Sequence, residues 1–183
     1  MIPKRGAAAG WWAGLQDDAD GRRGANRAAL ARLRHCATVV EAMMEPSAIV
    51  LFNRVCATGP DDLPVVALTA AVLAHVRADV PGGAVARAVG PANVEQPETA
   101  VLKPLRFRRM LEASGLDERL IAFRRLAALA GGRLPVADLA ASLLDWNELR
   151  RRRWVYDYWN AGQPSAARSP AQEASSLPKD PVP

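Results

Sequence analysis

Cysteine, histidine and tyrosine are scarce in this 183-residue sequence, which contains two of each. Cys36 and Cys56 are too few for a disulfide framework or a metal site. Both lie in apolar stretches of helical character, so we expect buried free thiols in a reducing compartment. Half of the residues are hydrophobic, and a chain of this length can bury a core that needs no covalent cross-links.

Catalytic motifs are absent as well. His35 and His75 are 40 positions apart, and neither belongs to a motif. The sequence has no glycine-rich phosphate loop, no Cys-x-x-Cys pair and no His-Glu-x-x-His. The acidic stretch DDADG near the N-terminus lacks the later glutamate of a calcium-binding loop. We therefore expect a protein that is not an enzyme and that uses neither a cofactor nor a metal.

Long apolar runs are also missing. Residues 63–76 form the longest apolar stretch, and they are too few to span a bilayer, which needs about 18 or more. The N-terminal sequence MIPKRGAAAG lacks the apolar centre of a signal peptide. The sequence thus predicts a cytoplasmic protein without a membrane partner.

Helical patterns dominate what is present. Alanine is abundant and runs of β-branched residues are short, which favours helices over strands. Residues 63–76 are apolar nearly all round the helical axis, a pattern typical of a helix buried on most sides. The predicted fold class is all-α, with two helical lobes.

A proline-containing stretch predicts the boundary between the lobes. Pro91, Pro97 and Pro104 lie among few large apolar residues, as in a linker or a long surface loop. The ends of the chain are poor in core-forming residues, and the C-terminal end is rich in Pro, Ser and Ala. The predicted order is a flexible lead (1–9), an N-terminal helical lobe (10–90), a linker loop (91–103), a C-terminal bundle of about four helices (104–160) and a disordered tail (161–183).

Residues 116–160 predict three successive helices. The first has Asp117 as its expected N-cap, and a glycine pair at 131–132 follows it, where a helix end often requires positive φ. Pro135 suits the start of the second. The third carries the run Arg150–Arg153. Four successive helical residues sweep about 300° around the axis, so these arginines cannot form one basic face.

The basic charge is unevenly distributed. The net charge is +5 and the sequence pI is about 9.9. Residues 1–60 carry 8 basic and 5 acidic residues, residues 61–102 carry 2 and 5, and residues 103–160 carry 12 and 7. Of the 24 basic residues 21 are arginine. A GC-rich genome would produce the same bias, but arginine also suits bidentate contacts to phosphate. A polyanionic partner is therefore expected.

Several motifs together resemble the CasB family, the small subunits of the type I-E CRISPR surveillance complex called Cascade. They are WWAGL and GRRGANRAALARLR near the N-terminus, FRRLAAL and LPVADLAASLLDW further on, and RRRRWVYDYW at the end of the third helix. The resemblance covers residues 10–160, and the order and spacing of the motifs carry it. It implies a non-catalytic subunit, present in two copies, beside the guide-RNA backbone subunits and the large subunit.

The resemblance also implies a surface that binds nucleic acid. Family members are taken to hold the displaced DNA strand and to steady the duplex of guide RNA and target DNA. Such strand exchange is nearly balanced in energy, so phosphate contacts can tip it. Carried over to this sequence, the residues expected to contact phosphate are Arg27, Arg106, Arg109, Arg124, Arg125, Arg150, Arg151, Arg152 and Arg153.

Two other functions remain open from the sequence. A free-standing helical DNA-binding regulator would need polar base-reading residues, and the basic helices offer almost no exposed Asn, Gln or Ser. A scaffold protein would carry the same arginines as solvated surface. The aromatic residues beside the last arginine run could stack on bases, but at helical spacing they are more typical of core.

Overall fold

The computed structural model describes residues 2–4, 6–16 and 23–161. Their regular structure is almost entirely α-helical, which confirms the predicted fold class. The helices are α1 (Ala7–Gln16), α2 (Arg23–His35), α3 (Val39–Met43), α4 (Pro46–Arg54), α5 (Asp62–Leu73), α6 (Val85–Val89), α7 (Pro104–Glu112), α8 (Leu116–Leu129), α9 (Val136–Leu144) and α10 (Glu148–Tyr158). A 3₁₀ turn at Pro97–Thr99 and two short strands, β1 (Ala78–Asp79) and β2 (Arg133–Leu134), complete these elements.

Helix α5 is the central element of the core. All its residues from Val66 to Leu73 are buried. The one polar side chain among them, Thr69, donates its hydroxyl proton to Val65 O at 2.8 Å, which satisfies the group inside the helix. Helix α5 packs against α2, α3, α4, α8 and α9. The predicted helix buried on most sides is therefore confirmed, and its neighbours come from both halves of the chain.

The buried side chains form one contiguous cluster that extends from Ile2 to Tyr158. Helix α6 packs against α10, and α1 packs against α9. Segments assigned to the predicted N-terminal lobe thus contact helices of the C-terminal bundle, and the division into two lobes stays a prediction. The connecting loop is tied to the core, because Tyr158 donates its hydroxyl proton to Leu102 O at 2.6 Å.

The start of the chain packs against the core. Ile2 and Ala8 are buried, the Lys4 N–H donates to Val55 O at 3.0 Å, and α1 begins at Ala7. The described part of the predicted flexible lead is therefore anchored, because the isoleucine fills a site that sequence alone does not reveal. Residues 162–183 of the predicted tail, like the acidic loop at 17–20, lie outside the described residues.

A two-residue parallel pairing joins the halves. Strand β1 pairs with β2, which follows directly after the glycine pair that ends α8. Gly131 and Gly132 have φ of 64° and 74°, so the prediction of positive φ at this helix end is confirmed. The Asp79 carboxylate accepts the Val136 N–H at the start of α9 at 2.9 Å. Strands this short show no alternation and were not predicted.

The N-terminus of α8 differs from the prediction. The helix begins at Leu116 and its N-cap is Gly115, so the assignment of Asp117 as N-cap was wrong. Glu118 accepts the Gly115 N–H at 3.3 Å and the Ser114 N–H at 3.1 Å. Asp117 instead accepts the Val39 N–H at 2.7 Å, at the start of α3. A good N-cap residue is therefore used for a contact between distant helices.

No helix in the described part of the chain is both long and apolar enough to cross a membrane.

Candidate nucleic-acid interface

Helices α7 and α8 form a hairpin, with only residues 113–115 between them. A groove of about 820 Å³ lies along this hairpin. Its lining contains three arginines, two glutamates and otherwise apolar side chains. The lining residues are Leu102, Arg106, Arg109, Met110, Glu112, Ala113, Glu118, Ile121, Ala122, Arg125, Ala128 and Leu129.

Helical periodicity explains why these residues meet. On α8, Ile121, Arg125 and Leu129 recur at intervals of four, and on α7, Arg106 and Met110 do the same. Residues four apart lie on one face of a helix. One stripe from each helix therefore faces the groove, while Phe107 of α7 is buried in the core.

Three of the predicted site residues, Arg106, Arg109 and Arg125, lie in this groove, and all three are exposed. Within residues 2–4, 6–16 and 23–161, none of the three forms an ion pair. The connectivity of the hairpin puts the two acids at its turn: Glu112 ends α7, and Glu118 is held by the capping contacts described above. The arginines occupy the middle and the open end, so this groove can receive an anion.

Arg124 has a different environment from its neighbour Arg125. Its guanidinium reaches the C-terminal end of α2, where Nη1 donates to Cys36 O at 2.5 Å and Nη2 donates to Leu33 O at 2.9 Å. These carbonyls have no helical partner of their own at a helix end. Burial lowers the pKa of Arg124. The side chain ties α8 to α2, and two of its N–H groups are thereby occupied.

The run Arg150–Arg153 is largely paired with acids of its own helix. Arg151 and Arg152 both bind Glu148, at 2.8 and 3.1 Å, and these hydrogen bonds hold the pKa of the Glu148 carboxyl below its usual range. Arg153 binds the buried Asp157 at 2.9 Å. Arg150 makes no ion pair with any residue that the structure describes. The net charge of this surface is therefore smaller than four arginines suggest.

The last predicted residue, Arg27, is exposed on α2 and likewise forms no described ion pair. The nine arginines therefore divide into distinct environments. The groove brings together Arg106, Arg109 and Arg125; the others lie on α2, on a second side of α8 and on α10.

A cationic cluster at the end of α5 was missed by sequence reasoning. Arg34 donates through Nε to Ala74 O at 2.6 Å. Burial, reinforced by the charges of Arg124, Arg34 and Arg77, lowers the pKa of His75 to about 4. Because the imidazole is neutral at physiological pH, the positive charge here belongs to the arginines. The three arginines are distant in sequence, so spacing gives no signal of their proximity.

The aromatic residues of α10 are mostly core. Trp154 and Tyr158 are buried; the Trp154 indole N–H donates to Ser142 Oγ at 2.9 Å, and the Tyr158 ring stacks on Phe107 with 3.9 Å between centroids. Tyr156 is exposed, with the Arg153 guanidinium 5.3 Å from its ring centroid. Stacking of nucleobases on the buried rings is therefore excluded by the core packing.

Comparison with known proteins found one family. The family model described as CRISPR-associated protein Cse2 matches residues 27–159, which include the groove, Arg27 and all of α10. A search of curated proteins and a search of solved structures gave no match.

Proposed function

This chain belongs to the Cse2 family, the CasB family that its motifs resemble, whose members are small subunits of the Cascade complex in CRISPR defence, and we propose that its arginines bind nucleic acid without sequence preference and stabilise the R-loop. The R-loop consists of the duplex between guide RNA and target DNA and the displaced DNA strand. In this role the subunit contributes binding energy and performs no catalytic step.

The observation that carries the proposal is the set of unpaired arginines in one concave surface. Arg106, Arg109 and Arg125 line the α7–α8 groove without a partnering carboxylate among the described residues. A guanidinium binds phosphate with two parallel hydrogen bonds. Arg27 and Arg150, which form no ion pair with any residue that the structure describes, supply further charge, whereas Arg124 ties α8 to α2 and Arg151 to Arg153 contribute less because acids already bind them.

The energetics suit an accessory subunit. The duplex formed in an R-loop is about as stable as the one it replaces, so a few phosphate contacts decide how long the R-loop persists. Each phosphate contact makes the slope of log affinity against log salt concentration more negative by about 0.7 to 0.9. Loss of three contacts should therefore flatten that slope by about 2 to 3.

The test uses Cascade reconstituted with this chain on a matched DNA target. We expect the subunit to slow R-loop dissociation, most strongly at low salt, and the triple variant Arg106→Ala, Arg109→Ala, Arg125→Ala to lose most of that effect. Dissociation is measured over a series of salt concentrations, and incorporation of the variant into the complex is measured by size-exclusion chromatography.

The matched control removes the same charge elsewhere. Arg54, Arg108 and Arg133 are exposed, lie outside the groove lining and form no described ion pair. Their triple alanine variant should keep a near-native salt slope. If both triple variants accelerate R-loop dissociation equally, the groove does not contribute more to binding than other arginines. If neither variant changes dissociation, the chain acts as a scaffold whose arginines are only solvated.

The partners that this role requires are the guide-RNA backbone subunits, the large subunit, a second copy of this chain, the guide RNA and the target DNA, all met in the cytoplasm. A free-standing DNA-binding regulator is less favoured, because the described residues that line the groove are arginine, glutamate and aliphatic residues, with no Asn, Gln or Ser among them to read base edges.

A further inference from the structure

We propose that the α7–α8 groove binds unpaired nucleotides, with their bases against its aliphatic floor and their phosphates on its arginines. The inference rests on the proposed function and makes it more specific. It predicts that affinity depends on the presence of nucleobases as well as on charge.

The groove has an aliphatic floor, formed by Leu102, Met110, Ile121 and Leu129. Ile121 and Leu129 are 45% and 41% exposed, whereas Met110 and Leu102 are buried. Aliphatic side chains in a concave site gain free energy when an apolar surface covers them. A phosphate backbone alone would leave this floor in water, so the occupant must also bring an apolar face.

The spacing of the two kinds of side chain fits a single strand. Ile121, Arg125 and Leu129 follow one another at intervals of four residues, which is about 6 Å along the helix axis. Consecutive nucleotides of a stacked strand are only about 3.4 Å apart. A nucleotide that puts its base on one aliphatic residue and its phosphate on the next arginine is therefore unstacked from its neighbours, as bases in bound single strands often are.

Other occupants fit less well. A duplex presents phosphates outward and keeps its bases inside, so it could satisfy the arginines but not the floor. An apolar protein segment could cover the floor but would bury three guanidinium groups without partners, which is costly. An unpaired nucleotide supplies both an anion and an apolar face.

The test compares two single-stranded DNA probes of equal length and charge, oligothymidine and a strand of abasic sites, binding to the full-length chain. We expect the native chain to bind the oligothymidine about five- to tenfold more tightly, because its bases cover the aliphatic side chains, whereas abasic sites leave them in water. Fluorescence anisotropy at several salt concentrations gives both affinities and both salt slopes.

The groove variant is Ile121→Ser with Leu129→Ser. Both side chains are partly exposed, so the change is compatible with the fold, and circular dichroism verifies that the helices are retained. This variant should bind the two probes equally and keep the native salt slope. The control replaces Met44 and Leu149, which are 80% and 75% exposed and lie outside the groove, with serine. It should keep the preference for oligothymidine.

The outcomes separate this inference from the proposed function. If the native chain binds abasic and oligothymidine strands equally while the arginine triple variant loses affinity, the groove binds phosphate only and the inference is overturned. If the triple variant binds both probes as the native chain does, the proposed function fails first. If the serine variant binds DNA normally but no longer enters Cascade, the floor contacts a protein subunit and the inference is again overturned.

Discussion

Arg124 provides the sharpest test of how the arginines are divided between fold and binding. Replacing Arg124 with alanine removes the hydrogen bonds to Leu33 O and Cys36 O and leaves two carbonyl groups at the end of α2 without partners. A hydrogen bond from a charged donor contributes about 1.5 to 3 kcal/mol. Two such bonds would contribute about 3 to 6 kcal/mol, and the expected loss of unfolding free energy is at or below the lower end of that range, about 2 to 3 kcal/mol.

Two features of the structure set that lower value. The guanidinium is only partly buried, so water competes for the carbonyls. Its Nε is buried and has no hydrogen-bond partner in the described part of the chain, and deletion of the side chain removes that unfavourable group. For a chain of this size the loss corresponds to a decrease of about 4 to 12 °C in Tm. Arg124→Lys should lose less, because one ammonium group can still reach one carbonyl.

The assay is thermal and urea unfolding followed by circular dichroism, with Arg125→Ala as the control. The neighbouring residue is exposed and lies in the groove, so its replacement should change unfolding free energy by less than about 0.5 kcal/mol. In DNA binding, Arg125→Ala should flatten the salt slope, whereas the charge-preserving variant Arg124→Lys should not. Equal stability of Arg124→Ala and Arg125→Ala would refute the reasoning.

Two further predictions concern positions outside the groove. In Gly90→Ala the new Cβ would lie 2.2 Å from Tyr158 O, so we expect a loss of about 2 to 3 kcal/mol in urea unfolding, while Gly10→Ala, with open space around it, should be neutral or stabilising. Because the pKa of His75 falls to about 4 in the folded state, the unfolded chain binds more protons between about pH 6.5 and 4. The contribution of His75 to the free energy of unfolding is therefore complete above pH 6.5 and is lost as the pH falls. Because the site is only half-buried, the loss should be about 1 to 2 kcal/mol. His75→Gln should remove that part of the pH dependence. An unchanged pH profile in the variant would contradict the assignment.

The sequence was sufficient for those parts of the fold that repeat a pattern. The all-round apolar pattern of α5 predicted its central position, and the Gly131–Gly132 pair predicted the end of α8. It failed for single long-range contacts. Asp117 has a side chain that can cap a helix, but α3 begins beside it, and its carboxylate accepts the Val39 N–H instead. A residue type states which hydrogen bonds are possible, and the tertiary structure selects among them.

The candidate site was predictable in composition but not in geometry. Arg106 and Arg109 are three residues apart, a spacing that places them on one face of a helix, and the groove contains them both. Arg124 ties α8 to α2 and Arg125 lines the groove, but the sequence of this doublet does not show which residue has which role. The pairing of Glu148 with two arginines follows from spacings of three and four and could have been expected. The cluster around His75 could not, because its members are far apart in sequence.

Helix α8 explains how adjacent arginines acquire different roles. At about 100° per residue, its buried residues Leu120, Phe123 and Ala127 occupy one sector of the helix. Asp117 and Arg124 fall together in the next sector, and both contact the region where α2 ends and α3 begins.

The remaining sector of α8 carries Ile121, Arg125 and Leu129 and faces the groove. A binding residue in this sector can change without loss of the core, because its side chain points away from the sector of Leu120, Phe123 and Ala127. The same rigid helix is fixed by its core contacts and by two ties to the α2–α3 region. The groove therefore presents Arg125 from a preorganised helix, and binding of a strand does not require that helix to become ordered.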